Sequence, residues 1–599
     1  MAILLVNLGT ADLTIKINGY FLPLLDLQVP VQQQHHNPEA LEPDDEAAKP
    51  VWCDRNNLIK QFITQELGIT PQPSKSNQIT TNYFKVDFRQ ATERIWKYYQ
   101  TDPGQWHQRI KVARFLGVIQ NALELTSEQL TCYLFTSNQS SKQHQDTVFA
   151  AKILEHWFNQ DTSELSPEDK ARITLEFKYI PGGLPLARGD EDLILSYYYD
   201  QLQTLDRSKT LFISIQGGTA YMKTALKIQA IGAGFKSPII LEPQLNVSRL
   251  MTGDTSHCKR LSYWRFQRQQ KYENIKQLLN RWDFAGAKTI LEDWQGTLNH
   301  LASKNLTEDG GLLEKEQAKV ERLLIGLDTA VAWLNSDLEA ARNSLQKLSP
   351  EEAEPFAQYL FDDLRVIYNL YAHLIIHNEL KQISDFIGRL GSFYEVSRMK
   401  WIEVLDGNEY LKQDGDTGWK QLNVDSVYSK NPRLWDNFVH SHDTAFRQLW
   451  PNTSKRNPIK GKDKNVKQHG KKGQTLRFDR LVQRTFLEAI IRTEFKSQNE
   501  SKQSFLNTLK IWEELDFWYE QRNQITHSAK GVDIQRVEEV YQNRDLTKYP
   551  LTAPYDEILD KMREMVTPLL VHYQNDLPEV PFYEELRQWI YQELQLLAT

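Results

Sequence analysis

Four short apolar runs punctuate the first part of the chain, and three of them end in small polar residues. Ile3 to Leu8 runs into Gly9-Thr10-Ala11-Asp12. Thr131 to Phe135 runs into Thr136-Ser137-Asn138, and the helix-period stretch Val148 to Leu154 follows. Ile173 to Phe177 is the third run. Leu211 to Ile215 is the fourth; it leads into Gln216-Gly217-Gly218-Thr219 and then the helical pattern Met222 to Ile228. Parallel strands need a crossover between them, and a helix is the usual one. Strand, polar loop and helix in repetition therefore predict a mostly parallel α/β sheet. Such sheets bind ligands beyond the carboxyl ends of their strands.

From about Tyr263 the period changes. Ile275, Leu278, Leu279, Trp282, Phe284, Ala287, Ile290, Leu291 and Trp294 carry amphipathic-helix spacing, and the pattern continues past Leu390. The expected fold class is an α/β Rossmann-like N-terminal domain joined to a largely α-helical C-terminal half. A chain of 599 residues predicts several domains, on the order of three or four. The net charge of −7 excludes a general nucleic-acid-coating protein, so any RNA contact is local. The three cysteines, Cys53, Cys132 and Cys258, are widely spaced and odd in number, which fits a reducing cytoplasm and gives no disulfide framework or zinc site. No apolar run reaches membrane-spanning length.

Gln216-Gly217-Gly218-Thr219 ends a strand and opens a helix. Glycines let a ligand approach the backbone, free N–H groups at a helix start favour a phosphate, and Thr219 and Lys223 add a donor and a charge. A tight turn without a ligand has the same sequence. Together with the other two loops it would form one polar rim. Near the other end stands Arg522-Asn523-Gln524-Ile525-Thr526-His527. Arginine holds phosphate and histidine moves a proton at neutral pH. A five-residue step turns a helix by about 500°, leaving the pair roughly 140° apart. Either Arg522 lies at a helix start, or the two residues address different sides of a substrate. His373 and His377 have metal-ligand spacing, but the aliphatic residues between them favour a packed helix. The stretch 454–473 holds Lys455, Arg456, Lys460, Lys462, Lys464, Lys467, Lys471 and Lys472 and almost nothing apolar; it is read as a basic loop, either guiding RNA or simply solvated.

The combination resembles the CARF–HEPN ribonucleases that accompany type III CRISPR systems. The segments Leu4 to Asp12, Leu134 to Asn138 and Ile213 to Met222 are similar to the CARF sensor. Ser384 to Leu390 followed by Glu395 is similar to the first HEPN helix, and Arg522, Asn523 and His527 to its catalytic motif. On this resemblance residues 1–262 form the sensor, 263–355 a helical linker domain, and 356–599 the HEPN domain carrying the basic loop.

The resemblance implies a cytoplasmic homodimer in antiviral defence. Its sensor would bind a cyclic oligoadenylate through Gly9, Thr10, Ala11, Asp12, Thr136, Ser137, Asn138, Gln216, Gly217, Gly218, Thr219, Met222 and Lys223. A two-fold axis admits a ring of four or six units, so cyclic tetra-adenylate is expected first and cyclic hexa-adenylate second. The helical domain would then cut single-stranded RNA without a metal or other cofactor. A ribose 2′-hydroxyl would attack the adjacent phosphate and leave a 2′,3′-cyclic phosphate. Thr10, Thr136, Ser137 and Asn138 are also candidates for cleaving the bound ring. The alternatives are a sensor whose helical domain acts by binding protein or RNA, and one whose effector acts on DNA.

Overall fold

The computed structural model describes residues 1–25, 43–70, 72–73, 84–139, 143–160, 164–181, 191–235, 238–304, 306, 310–360, 364–413, 420–449, 456–460, 475–494, 500–528, 533–573 and 581–595. Most of the 454–473 stretch lies outside them. The chain divides into two compact units, one of residues 1–273 and 290–320, the other of 274–289 and 321–599.

The first unit is built on a six-stranded sheet. Its strands are β1 (Ala2–Asn7), β2 (Leu130–Ser137), β3 (Ile173–Ile180), β4 (Leu211–Ser214), β5 (Ile239–Pro243) and β6 (Cys258–Leu261). In space they run β3-β2-β1-β4-β5-β6, with only β6 antiparallel. That is a doubly wound order, and the chain reverses direction across the sheet between β1 and β4. β1 is central and buried along its whole length, as its unbroken apolar run requires. β5 and β6 were not among the four runs read from the sequence. β5 has only three apolar residues before Glu242 and Pro243, and β6 (Cys-Lys-Arg-Leu) is a half-exposed edge with no apolar run to mark it. Helix α1 (Ala113–Leu125) precedes β2, and α2 (Ala220–Gly232) follows β4. Met222, Ala225, Leu226 and Ala230 of α2 pack on Ile3, Leu5 and Ile213 of the sheet.

The second unit is mainly helical. The elements that matter below are α3 (Arg365–Glu379), α4 (Ile383–Val404), α5 (Pro432–Leu449), α6 (Arg480–Glu494), α7 (Glu500–Ser528), α8 (Ile558–His572) and α9 (Phe582–Gln595). α7 packs on α4, α6 and α8, and α5 on α6. Trp512, Leu515 and Trp518 of α7 recur every three residues and are fully buried. The Trp518 indole N–H donates to the Ala553 carbonyl at 2.8 Å, fixing the rotation of α7. A small antiparallel sheet, β7 (Leu411–Gln413), β8 (Lys420–Asn423) and β9 (Thr475–Arg477), flanks the helices.

Two buried histidines set an acid limit on this unit. His373 bonds the Tyr583 hydroxyl through Nε2 at 3.0 Å, so the i, i+4 histidine pair belongs to a packed helix, as expected. Burial, with the nearby Arg389 charge, pushes its pKa down to about 3. Burial likewise pushes His442 down to about 4. Both pKa values lie below the unfolded value near 6.5. The neutral rings therefore contribute stability that is complete above that pH and lost as pH falls from 6.5 toward 4. At pH 5 the loss is about 2 kcal/mol per ring. Denaturant unfolding of the full chain should show this drop between pH 7.5 and 5, and replacing both residues by Gln should flatten it. An unchanged slope in the double variant would contradict the assignment.

Candidate functional sites

In the first unit the reversal of strand order brings two of the expected loops together. β1 ends at Asn7, and Gly9 to Asp12 turns as a single short 3-10 helix. The Gly9 N–H donates to the Asp12 carboxylate at 2.6 Å, closing that turn. β4 ends at Ser214, and Gly217 lies directly against the end of β1. A Cβ on Gly217 would stand 1.7 Å from the Asn7 carbonyl oxygen and 2.7 Å from the Gly9 nitrogen. Gly218 adopts φ +79°, which glycine tolerates best. Thr219 caps α2, accepting from the Met222 N–H at 3.3 Å. Met222 itself is buried in the sheet–helix core, and Gln216 donates to Glu242 at 2.7 Å. Gly9, Thr10, Ala11 and Gln216 to Thr219 therefore share one locus at the carboxyl edge of the sheet.

The third loop contributes less. β2 continues through Thr136 and Ser137, which pair in register with Tyr179 and Ile180 of β3. Both are buried and turned inward. Thr136 Oγ1 lies 2.9 Å from Thr147 Oγ1, and Ser137 donates to Asp146 at 2.8 Å. Asn138 alone of that trio is exposed. The Thr and Ser side chains suit a strand as well as a loop, and the partners at 146–147 that hold them there are ten residues away.

Sequence reasoning missed two residues at this locus. Arg114, at the start of α1, reaches Asp12 with NH1 3.8 Å from Oδ1, and its side chain is 14% exposed. Burial and the Arg114 charge push the Lys223 pKa down, against the pull of Asp12. Two cations thus face one carboxylate beside a glycine loop and a helix N-terminus, a combination suited to a phosphate. Asn7 lies beneath them. Its Oδ1 accepts from the Tyr198 hydroxyl at 2.7 Å, while its buried Nδ2 has no partner. The visible signal was one amide closing an otherwise apolar strand; Arg114 gave none, because it comes from a distant segment.

In the second unit Arg522 lies well inside the 29-residue helix α7. The arrangement with Arg522 or Asn523 at a helix start is thereby excluded. The helix is continuous through His527, so the two positions are separated by the roughly 140° of an ideal five-residue step. The side chains of Asn523 and His527 lie outside the described residues.

Arg522 is held by a stripe on its own helix and by α4. Asp516, Tyr519 and Arg522 are successive i, i+3 neighbours and share one face. The Arg522 guanidinium lies 5.9 Å from the Tyr519 ring centre, and its NH1 is 3.4 Å from Oε1 of Glu395. The Tyr519 hydroxyl donates to the same Glu395. Gly391, one turn before Glu395, makes the space: a Cβ there would meet the Arg522 Cδ at 2.6 Å and NH1 at 2.9 Å. Beneath this layer Asp516 accepts from the Tyr394 hydroxyl and from Arg484 at 3.0 Å. Arg398, fully buried, stacks 4.3 Å over the Tyr394 ring and donates to the Arg480 carbonyl at 3.2 Å. Burial opposes the charge on Arg480, but Asp516, Tyr394 and Glu520 outweigh it and its pKa rises. Glu395 was marked in sequence only as part of the segment similar to the first HEPN helix, not as a partner of Arg522; Tyr519 and Gly391 were not marked at all.

Gly391→Ala should keep the unit folded, because the obstructing atoms are the far part of a flexible side chain. It should displace Arg522 and, if the motif is that of a ribonuclease, lower RNA cleavage about tenfold. The check is cleavage rate alongside thermal unfolding; an unchanged rate would dissociate Gly391 from Arg522.

Among the described residues no group of three or more His, Cys, Asp or Glu is placed to hold a metal ion, and no helix is long and apolar enough to cross a membrane.

No protein-family model matches the chain, and no curated protein does. Among solved structures, Enterococcus italicus Csm6 bound to cyclic hexa-2′-fluoro-hexa-dAMP is similar at a TM-score of 0.47 and 14% identity, covering 81% of this chain and 96% of that one.

Proposed function

We propose that the chain is a cyclic-oligoadenylate-activated, metal-independent endoribonuclease of the CARF–HEPN kind, acting as a homodimer in the cytoplasm. The observation that carries this reading is Arg522. It is a half-buried arginine on a helix that also bears His527, and it is braced by Glu395 and Tyr519 from the two helices that the motifs mark. Arg522 stabilises charge on the phosphate oxygens, and His527 transfers a proton to the leaving 5′ oxygen or from the 2′-hydroxyl. The ribose 2′-oxygen bonds to phosphorus, the P–O5′ bond breaks, and the products are a 2′,3′-cyclic phosphate and a 5′-hydroxyl. Because Arg522 and His527 diverge around α7, a site assembled from two chains supplies both groups to one phosphate more readily than a single helix does.

The Gly9–Asp12 and Gln216–Thr219 loops, with Lys223 and Arg114, bind a phosphate of the ring. Cyclic tetra-adenylate is the first candidate activator and cyclic hexa-adenylate the second. Arg114→Ala should weaken activation about tenfold or more by removing a partly buried charged donor. The chemistry is tested with an RNA bearing a single 2′-deoxy position at the cleavage site, in EDTA. Cleavage should vanish at that position and the all-RNA product should carry a 2′,3′-cyclic phosphate. Efficient cleavage at the deoxy position would refute 2′-hydroxyl attack.

A further inference from the structure

Beside β9 the helical unit holds a cavity of about 440 Å³. That lies within the roughly 300–1,000 Å³ of sites built for small organic groups. Its wall joins apolar side chains, Phe446 and Leu449 of α5 among them, to the cations Arg477, Arg480 and Lys548 and the carboxylates Asp479 and Glu520. Glu520 accepts from Arg480 at 2.7 Å and from Lys548 at 2.9 Å, so the rim is a charge network with one cation in excess. An apolar bowl with such a rim fits a flat, weakly polar ring attached to an anion. His442 also lines it and is 1% exposed, and its Nδ1 has no hydrogen-bond partner. A buried polar atom without a partner is costly unless something completes it.

Two further observations identify the occupant. The first is proximity to Arg522. The Arg480 guanidinium lies 5.2 Å from the centre of the Tyr519 ring, and the Arg522 guanidinium lies 5.9 Å from the same centre. A wall of the cavity and the phosphate-holding arginine thus stand on one aromatic ring, within reach of neighbouring nucleotides on one strand. The second is charge. Three cations, Arg477, Arg480 and Lys548, line the cavity against two carboxylates, Asp479 and Glu520. A lining with cations in excess favours an anionic ligand over a neutral one.

We propose that this cavity seats a nucleobase of the single-stranded RNA close to the phosphate held by Arg522, with Arg477 on the flanking phosphate. The proposal rests on reading the helical unit as a ribonuclease, and it makes the cavity a base-recognition subsite of that nuclease.

The test uses the full chain with His527→Ala to silence cleavage, and a fluorescein-labelled single-stranded RNA followed by anisotropy. Leu449→Trp fills the cavity. Arg477→Ala removes an exposed cation without touching the core. Each should weaken RNA binding about tenfold with thermal unfolding unchanged, since a stacked base is commonly worth one to two powers of ten in affinity. In the cleaving chain the same two substitutions should flatten the base preference at the cut sites. Parent-like affinity in both variants overturns the proposal. So does saturable binding of 5′-AMP that Leu449→Trp abolishes while RNA affinity stays intact, since that would mark a free-nucleotide site. Failure of the underlying reading looks different: RNA is then bound, and loses affinity in the variants, but is not cut by the unsubstituted chain. If RNA is cut and both variants bind and cut like the parent, the nuclease reading stands and only the subsite falls.

Discussion

Arg522→Ala in the full chain should lower RNA cleavage by about three powers of ten while leaving the helical unit folded. The Arg522 side chain is 30% exposed and that of Glu395 beside it 48%, so its loss opens no core. What disappears is the cation that the proposed mechanism places on the phosphate. Arg522→Lys should recover part of the rate, because a point charge replaces the planar fork that grips two phosphate oxygens. Asp516 offers the contrast. It anchors Tyr394 and Arg484 from a buried position, so Asp516→Ala should unfold the unit rather than silence it. Rates and unfolding midpoints measured together separate the two outcomes. If Arg522→Ala cuts RNA at the parent's rate, the catalytic assignment is wrong.

Gly217→Ala should abolish the response to a cyclic oligoadenylate. The added Cβ would fall 1.7 Å from the Asn7 carbonyl oxygen, 2.6 Å from its carbon and 2.7 Å from the Gly9 nitrogen, all backbone atoms that cannot swing aside. Either the loop after β4 or the end of β1 must move, which separates the two loops that form the locus. A cost of about 2–4 kcal/mol to the first unit is expected, with the proposed activation reduced at least a hundredfold. Gly218→Ala should be milder despite its positive φ. It meets chiefly the flexible end of Met222, and a left-handed non-glycine residue costs about 1–2 kcal/mol. Activation curves for the two variants check the order; equal responses would remove the close approach of Gly217 from the account.

The parts of this architecture written in local pattern were readable in advance. β1, β2, β3 and β4 follow their apolar runs, and α2 follows the Gly-Gly-Thr turn. The polar loops at Gly9 and Gly217 were readable as loops, and the parallel-sheet rule placed them on one edge. Their adjacency depended on strand order, which no single segment encodes. Arg114 became part of the locus only because α1 packs against the Thr10–Asp12 turn. Thr136 and Ser137 were readable as polar but not as inward-facing, since Thr147 and Asp146 decide that. In the helical unit, Arg522 and Glu395 carried motif spacing. Tyr519 and Gly391 look like ordinary helix residues until α4 and α7 are packed together.

The most direct test is fluorogenic RNA cleavage by the purified full chain in EDTA, with cyclic tri-, tetra- and hexa-adenylate added in turn. Arg522→Ala, His527→Ala and the double Arg114→Ala/Lys223→Ala variant run alongside. The account predicts cleavage switched on by the tetra- or hexa-adenylate ring. It predicts no cleavage in the first two variants at any ring concentration, and a response in the third restored only at much higher ring concentration. Silence with every ring, or cleavage that persists in both Arg522→Ala and His527→Ala, would contradict it.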